Sequence, residues 1–129
     1  MPKKSQFATE FILLITFMFI IFIGFTAITT NKILDAKENK RLRTAESIAM
    51  LAKNEINLAK ASSDGYFRTF ELPRKVDGNS YNITIIQNRE LVVHYVDKEY
   101  VTFLPNNVVG DFNVNVNQIR KEKGIVYIN

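Results

Sequence analysis

The sequence predicts an α+β protein. A long N-terminal helix, transmembrane in its first half and amphipathic in its second, is followed by a small antiparallel β-sheet head. Three observations predict this. Residues 11–28 are apolar except for Thr16, Gly24 and Thr26. Residues 33–61 contain neither Pro nor Gly and carry an Ala-rich stripe. From Tyr66 onward the apolar period changes to two.

The first element follows from length. About 18 residues at 1.5 Å rise give roughly 27 Å of helix, close to the hydrocarbon thickness of a bilayer. Glu10 stands at the edge of this run. An ionisable group there is costly and points to function. A cleaved secretory signal fits poorly. Its apolar core is about 7–15 residues and ends at a small-x-small site, whereas here Ala27 has Phe25 two residues before it. A plain signal anchor is a second reading. In it Lys3 and Lys4 hold the short end inside, but Lys32, Lys37, Lys40, Arg41 and Arg43 follow the span and oppose that orientation.

A third reading rests on a pattern. Lys3-Lys4-Ser5 precede Gln6, Glu10 is fifth counting from Gln6, and Phe11-Ile12-Leu13-Leu14 continue into the span. This resembles archaeal type IV pilin-like proteins with class III signal peptides. In that family a basic leader and a small residue precede a Gln, a fifth-position Glu and a long apolar helix. Ser5 departs from the commoner Gly or Ala. The resemblance implies that a prepilin peptidase cuts between Ser5 and Gln6 on the cytoplasmic side. It also implies that Gln6 and Glu10 serve assembly, with Glu10 meeting the freed amino terminus of a neighbouring subunit. The expected divisions are a leader at residues 1–5, an assembly half of the helix at 6–30, an amphipathic half at 31–62 and the β-domain at 63–129.

Composition limits the rest. With the span set aside, the remainder of the 129 residues allows one small domain. There is no Cys, hence neither a disulfide nor a Cys-based metal or redox site. The net charge is +4; losing Lys3 and Lys4 leaves 15 basic against 13 acidic residues, or +2. That is too mild for nucleic acid as a partner. Lys37, Lys40, Arg41 and Arg43 read as a solvated neck, or as a contact with anionic headgroups or a neighbouring subunit.

The second half of the helix is justified by Leu42, Ala45, Ala49, Ala52, Ile56 and Ala59, which recur at steps of three and four, with Ile48, Leu51 and Leu58 flanking. Ser62-Ser63-Asp64-Gly65 is its stop signal. A helix over residues 7–61 is roughly 80 Å long. Strands are expected at residues 66–72, 80–87, 91–96, 100–104, 112–117 and 125–128, joined by turns at Gln87-Asn88-Arg89-Glu90, Asp97-Lys98 and Lys121-Glu122-Lys123-Gly124. An internal repeat, Leu-Pro-x-x-Val-x-Gly, begins at Leu72 and again at Leu104. Pro stops a ladder and Gly supplies unusual dihedrals, so each copy reads as strand, stop, loop, strand, with its Val tucked beneath.

Chemistry-bearing motifs are few. His94 is the only His and has no partners at metal-ligand spacing. No phosphate loop, nucleophile elbow or paired-carboxylate motif occurs. Asn113, Asn115 and Asn117 mark a wet strand face. Asn82-Ile83-Thr84 is the one N-glycosylation sequon, with Asn82 as acceptor.

The resemblance implies a structural, non-enzymatic subunit of a type IV pilus-like surface filament, with neither cofactor nor metal. Its expected partners are identical or related subunits, prepilin peptidase, and membrane lipid before assembly. It would be a single-pass membrane protein with its head outside, then part of an extracellular filament. The alternatives are a minor, pseudopilin-like priming component and an uncleaved membrane-anchored β-type binding module.

Overall fold

The computed structural model describes residues 3–129; of the expected leader, residues 1–2 lie outside the described residues. One helix, α1 (Lys3–Ala61), is followed by seven strands: β1 (Phe67–Glu71), β2 (Tyr81–Ile86), β3 (Glu90–Tyr95), β4 (Lys98–Phe103), β5 (Val108–Gly110), β6 (Val116–Glu122) and β7 (Ile125–Ile128). A long N-terminal apolar helix followed by a β-sheet head is thus the observed α+β architecture. By contact density the chain divides into Met1–Glu38 and Asn39–Asn129.

The second unit holds the core. Ala45, Ile48, Ala49, Ala52, Ile56 and Ala59 are the buried residues of α1. The expected stripe therefore holds, with two adjustments. Ile48 lies inside it, and Leu42, at 42% exposure, lies outside. The Ala side chains add little bulk, so strand side chains can approach the helix backbone closely. The same cluster takes in Phe70, Leu72, Ile83, Leu91, Val93, Val108, Ile119, Val126 and Ile128.

Two sheets supply those residues, in the orders β1-β6-β7-β5 and β2-β3-β4. The second is the antiparallel meander expected from sequential short turns. The first departs from the expected antiparallel sheet. β5, unforeseen in the sequence, pairs in parallel with β7, with Val108 opposite Val126 and Gly110 opposite Ile128. β1 pairs with β6, far along the chain. A three-residue strand leaves almost no periodic signal, which is why β5 escapes detection.

The strand expected at residues 112–117 is also corrected. Phe112 and Asn113 lie outside any strand, and pairing begins at Val116. The reason is Asn117. It is fully buried, and its side chain takes over backbone groups that a ladder would need. Asn117 Oδ1 accepts from Asn113 N–H at 2.7 Å, and Nδ2 donates to Asn113 O at 2.7 Å and Asn115 O at 3.3 Å. Asn115, at φ 113°, breaks the extended backbone. Asn129 Nδ2 donates to Asn117 Oδ1 at 2.8 Å, fixing this loop to the end of β7. The three Asn do not form one wet face.

The hairpin turn expected at Asp97-Lys98 sits one residue earlier, at Val96-Asp97. That puts a β-branched residue, Val96, at φ 57°, an unfavourable region for it. Core burial of Tyr95 and the β3–β4 pairing, with Tyr95 opposite Lys98, hold the register against that strain, and Arg41 Nη1 donates to Asp97 Oδ1 at 3.0 Å on the exposed side.

The two repeat copies share burial rather than full structure. Leu72 and Leu104 are both buried, and Val76 and Val108 both pack on the core. The first copy closes on itself through the Val76–Asn79 bridge. Tyr81 Oη donates to Pro73 O at 2.6 Å and Tyr95 Oη to Val76 O at 3.0 Å, pinning the loop to β2 and β3. The second copy continues into β5. There Gly110, at φ 111°, lets the backbone of Ile128 come against its Cα.

The end of α1 is tied into the β6–β7 hairpin. Lys121 Nζ donates to Lys60 O at 2.8 Å and Ser62 O at 2.7 Å, satisfying carbonyls that the helix end leaves open. Gly124 N–H donates to Asp64 Oδ1 at 3.0 Å.

Two predictions follow from this packing. In Gly110→Ala the new Cβ collides with the carbonyl oxygen of Ile128 and meets an unfavourable φ. A loss of about 2 kcal/mol or more is expected, read as a lower denaturant midpoint at unchanged slope. Burial pushes the Tyr81 phenol pKa above its ordinary value. The neutral form is therefore favoured by folding. That contribution is fully present below the unfolded value near 10 and is lost as pH rises through the higher folded value. Tyr81→Phe should cost about 1 kcal/mol at pH 8 through the lost hydrogen bond. It should also flatten part of the alkaline decline in stability, measured by urea unfolding across that range.

Candidate functional site

The candidate site is the apolar part of α1 with the polar groups at its start. The helix contains a window long and apolar enough to cross a membrane, none of it buried within the chain. Phe11, Phe17, Phe22 and Phe25 are each more than 60% exposed. Such a continuous apolar surface requires a lipid or protein environment to cover it.

The polar side chains inside the run are satisfied locally. Thr16 Oγ1 donates to Ile12 O at 2.8 Å and Thr26 Oγ1 to Phe22 O at 2.8 Å. Thr29 and Thr30 do the same, each at 2.9 Å, to Phe25 O and Thr26 O. Each hydroxyl returns its proton to the carbonyl one turn back, so no free donor faces the apolar surroundings. The segment is compatible with hydrocarbon at every one of these positions.

Glu10 is the exception, because a carboxylate only accepts. Gln6 Nε2 donates to Glu10 Oε1 at 3.4 Å, one turn apart on an exposed face. This is a long contact to a neutral donor, and Glu10 forms no ion pair among the described residues. Helical structure already begins at Lys3. The Ser5–Gln6 bond therefore lies within the first helical turn, where Ser5 O accepts from Thr9 Oγ1 at 3.0 Å. That turn holds Lys3 and Lys4 and no acidic residue, so its charges oppose the positive end of the helix dipole. A helix starting at Gln6 instead would lose both cations and bring Glu10 close to that end.

The neck cations divide into two sets. Lys40 Nζ lies 3.1 Å from Asp77 Oδ2, in the first repeat loop, and Arg41 pairs with Asp97 in the β3–β4 turn. Both belong to the second unit and hold the helix to its own head. Lys37 and Arg43 are exposed. His94 is exposed and its Nδ1 lies 3.3 Å from Glu99 Oε2. No group of three or more His, Cys, Asp or Glu able to hold a metal ion occurs among the described residues.

The head carries two exposed apolar surfaces, and Phe67 and Phe103, aromatics of the kind expected to pack against the Ala stripe, stand on them. The outer face of β2-β3-β4 carries Ile86, Val101 and Phe103, which are 45%, 44% and 69% exposed. The signal was present, since Ile85-Ile86 and Leu91-Val92-Val93 break the alternation expected of a strand with one wet face. On the other sheet Phe67 is 60% exposed, and the Arg120 guanidinium sits 5.3 Å from the ring centre of Tyr127.

No protein-family model, curated protein or solved structure matches the chain.

The Arg41–Asp97 pair is largely solvent-exposed, so its own contribution should be small. A double-mutant cycle with Arg41→Ala and Asp97→Ala should give a coupling of no more than about 1 kcal/mol, shrinking with added salt. A larger, salt-insensitive coupling would show that the pair is desolvated.

Proposed function

We propose that the chain is a structural subunit of a type IV pilus-like surface filament. The membrane holds it through α1 until a prepilin peptidase cuts between Ser5 and Gln6. The helix then leaves lipid and is buried among the helices of identical or related subunits. Assembly by helix burial is the whole action, with no catalytic step, cofactor or nucleic acid. The head faces outside, first at the cell membrane and then along the filament.

One observation carries this reading: an entirely exposed apolar helix surface whose single carboxylate, Glu10, has no charged partner among the described residues. A carboxylate in apolar surroundings costs several kcal/mol unless paired. The amino group freed at Gln6 of a neighbouring subunit is a partner of opposite charge. Burial beside it makes the filament a better environment for Glu10 than lipid. The same α-amino group can reach its own Glu10 across one helical turn, so the inter-subunit pair competes with an intramolecular one.

A membrane-anchored binding module is the reading favoured by the apolar outer face of β2-β3-β4. In that case the leader stays attached and the function lies in the head.

Mass spectrometry of the mature protein separates the two: an amino terminus at Gln6 supports the filament subunit, and one at Met1 or Pro2 supports the anchor. Glu10→Ala should still insert in the membrane and fold its head, while filament yield in electron micrographs falls by roughly tenfold or more, the consequence of losing on the order of 1.4 kcal/mol per contact. Filaments at normal yield from that variant would remove the role assigned to Glu10.

A further inference from the structure

Asn82-Ile83-Thr84 occupies the start of β2, an edge strand of its sheet. The strand period of two puts Asn82 and Thr84 on one face and Ile83 on the other. Ile83 is 2% exposed in the core, whereas Asn82 is exposed on the outer face. A group attached to Asn82 Nδ2 therefore enters solvent without displacing any core contact.

The register places the apolar outer surface along the same face. Asn82 stands opposite His94, and His94 opposite Glu99. The next row on that face is Thr84, Val92 and Val101, and the row beyond is Ile86, Glu90 and Phe103. These rows lie about 7 and about 14 Å from Asn82 along the strands. Val92 is buried although it is not part of the core beneath the helix. Ile86, Val101 and Phe103 remain open to water around it.

We propose that Asn82 is N-glycosylated and that the attached saccharide lies back over the apolar outer face of β2-β3-β4. Pyranose rings have apolar C–H faces and polar rims. They can cover Val101 and the Phe103 ring while keeping their hydroxyls hydrated, and a short oligosaccharide reaches both. The donor is an oligosaccharide on a polyprenyl phosphate or pyrophosphate. Asn82 Nδ2 attacks the anomeric carbon, forming a C–N bond as the bond to the phosphate oxygen breaks. The polyprenyl carrier leaves with the electron pair, and the Nδ2 proton passes to a base of the transferring enzyme. Thr84 supplies the hydroxyl that the sequon requires. The inference rests on the head lying outside the membrane, as proposed above.

The test is the intact mass of the full chain purified from the cells that make it. The expected mass exceeds that of the polypeptide by whole saccharide residues, mapped to the peptide containing Asn82. Asn82→Gln and Thr84→Val should abolish the increment, and Thr84→Ser should retain it. A bare polypeptide mass overturns the proposal. Labelling intact cells with a membrane-impermeant amine reagent tells the two failures apart. A labelled head of bare mass overturns glycosylation alone, and an unlabelled head overturns the outside placement itself. Hydroxyl-radical footprinting reads the covering. Phe103 should be oxidised several-fold faster in Asn82→Gln than in the glycosylated chain, and equal rates overturn the covering.

Discussion

The packing of the Ala stripe on two sheets is the contact on which the head depends. Seven short strands in two separate sheets have no closed barrel and no disulfide to hold them. Each sheet turns one face to the helix side, where Ala45, Ala49, Ala52 and Ala59 are fully buried. The small side chains let strand side chains pack onto the helix face, and Ile48 and Ile56 belong to the same buried cluster. Enlarging any of these alanines would force the sheets from the helix, since close-packed interiors tolerate overpacking poorly. Lys121 fixes the end of the same helix by donating to Lys60 O and to Ser62 O just beyond it, so the β6–β7 hairpin and the helix terminus stabilise each other.

A second constraint governs the first unit. A helix with an apolar surface on all sides has no reason to stand in water. Thr16, Thr26, Thr29 and Thr30 donate to carbonyls one turn back, so these hydroxyls lose no bond on transfer into lipid or protein. Within residues 10–30 Glu10 is the one charged side chain, and it resists that transfer. The proposed function follows from this imbalance, because a helix content in either apolar environment acquires a preference only through a group that one of them neutralises.

The outer face of the meander carries the opposite problem, an apolar surface in a head read as standing in water. Its position beside an exposed sequon asparagine offers a covalent means of covering it. Both proposals thus treat exposed apolar area as the quantity to be explained, one by burial among subunits and one by an attached saccharide.

The sequence by itself determined the helix, its end at Ala61, the stripe, the three-stranded meander and the last strand. These are periodic, local features, and their periods of 3.6 and 2 survive in any environment. It also named Ser5, Gln6, Glu10 and Asn82 as the residues on which the two proposals rest, the first three through a resemblance and the last through its sequon. Only the tertiary structure decided the four-stranded sheet β1-β6-β7-β5. β5 is three residues long and exists because Gly110 admits the backbone of Ile128. The 112–117 alternation resembled a strand, but Asn117 is fully buried and spends its amide on the loop before it. The Leu-Pro-x-x-Val-x-Gly repeat likewise set which residues are buried in both copies, while their neighbours decided what each loop became. Tyr81 and Tyr95 closed one loop, and β7 drew the other into a sheet. Pairing between distant segments depends on what lies across the gap, and no local period records that.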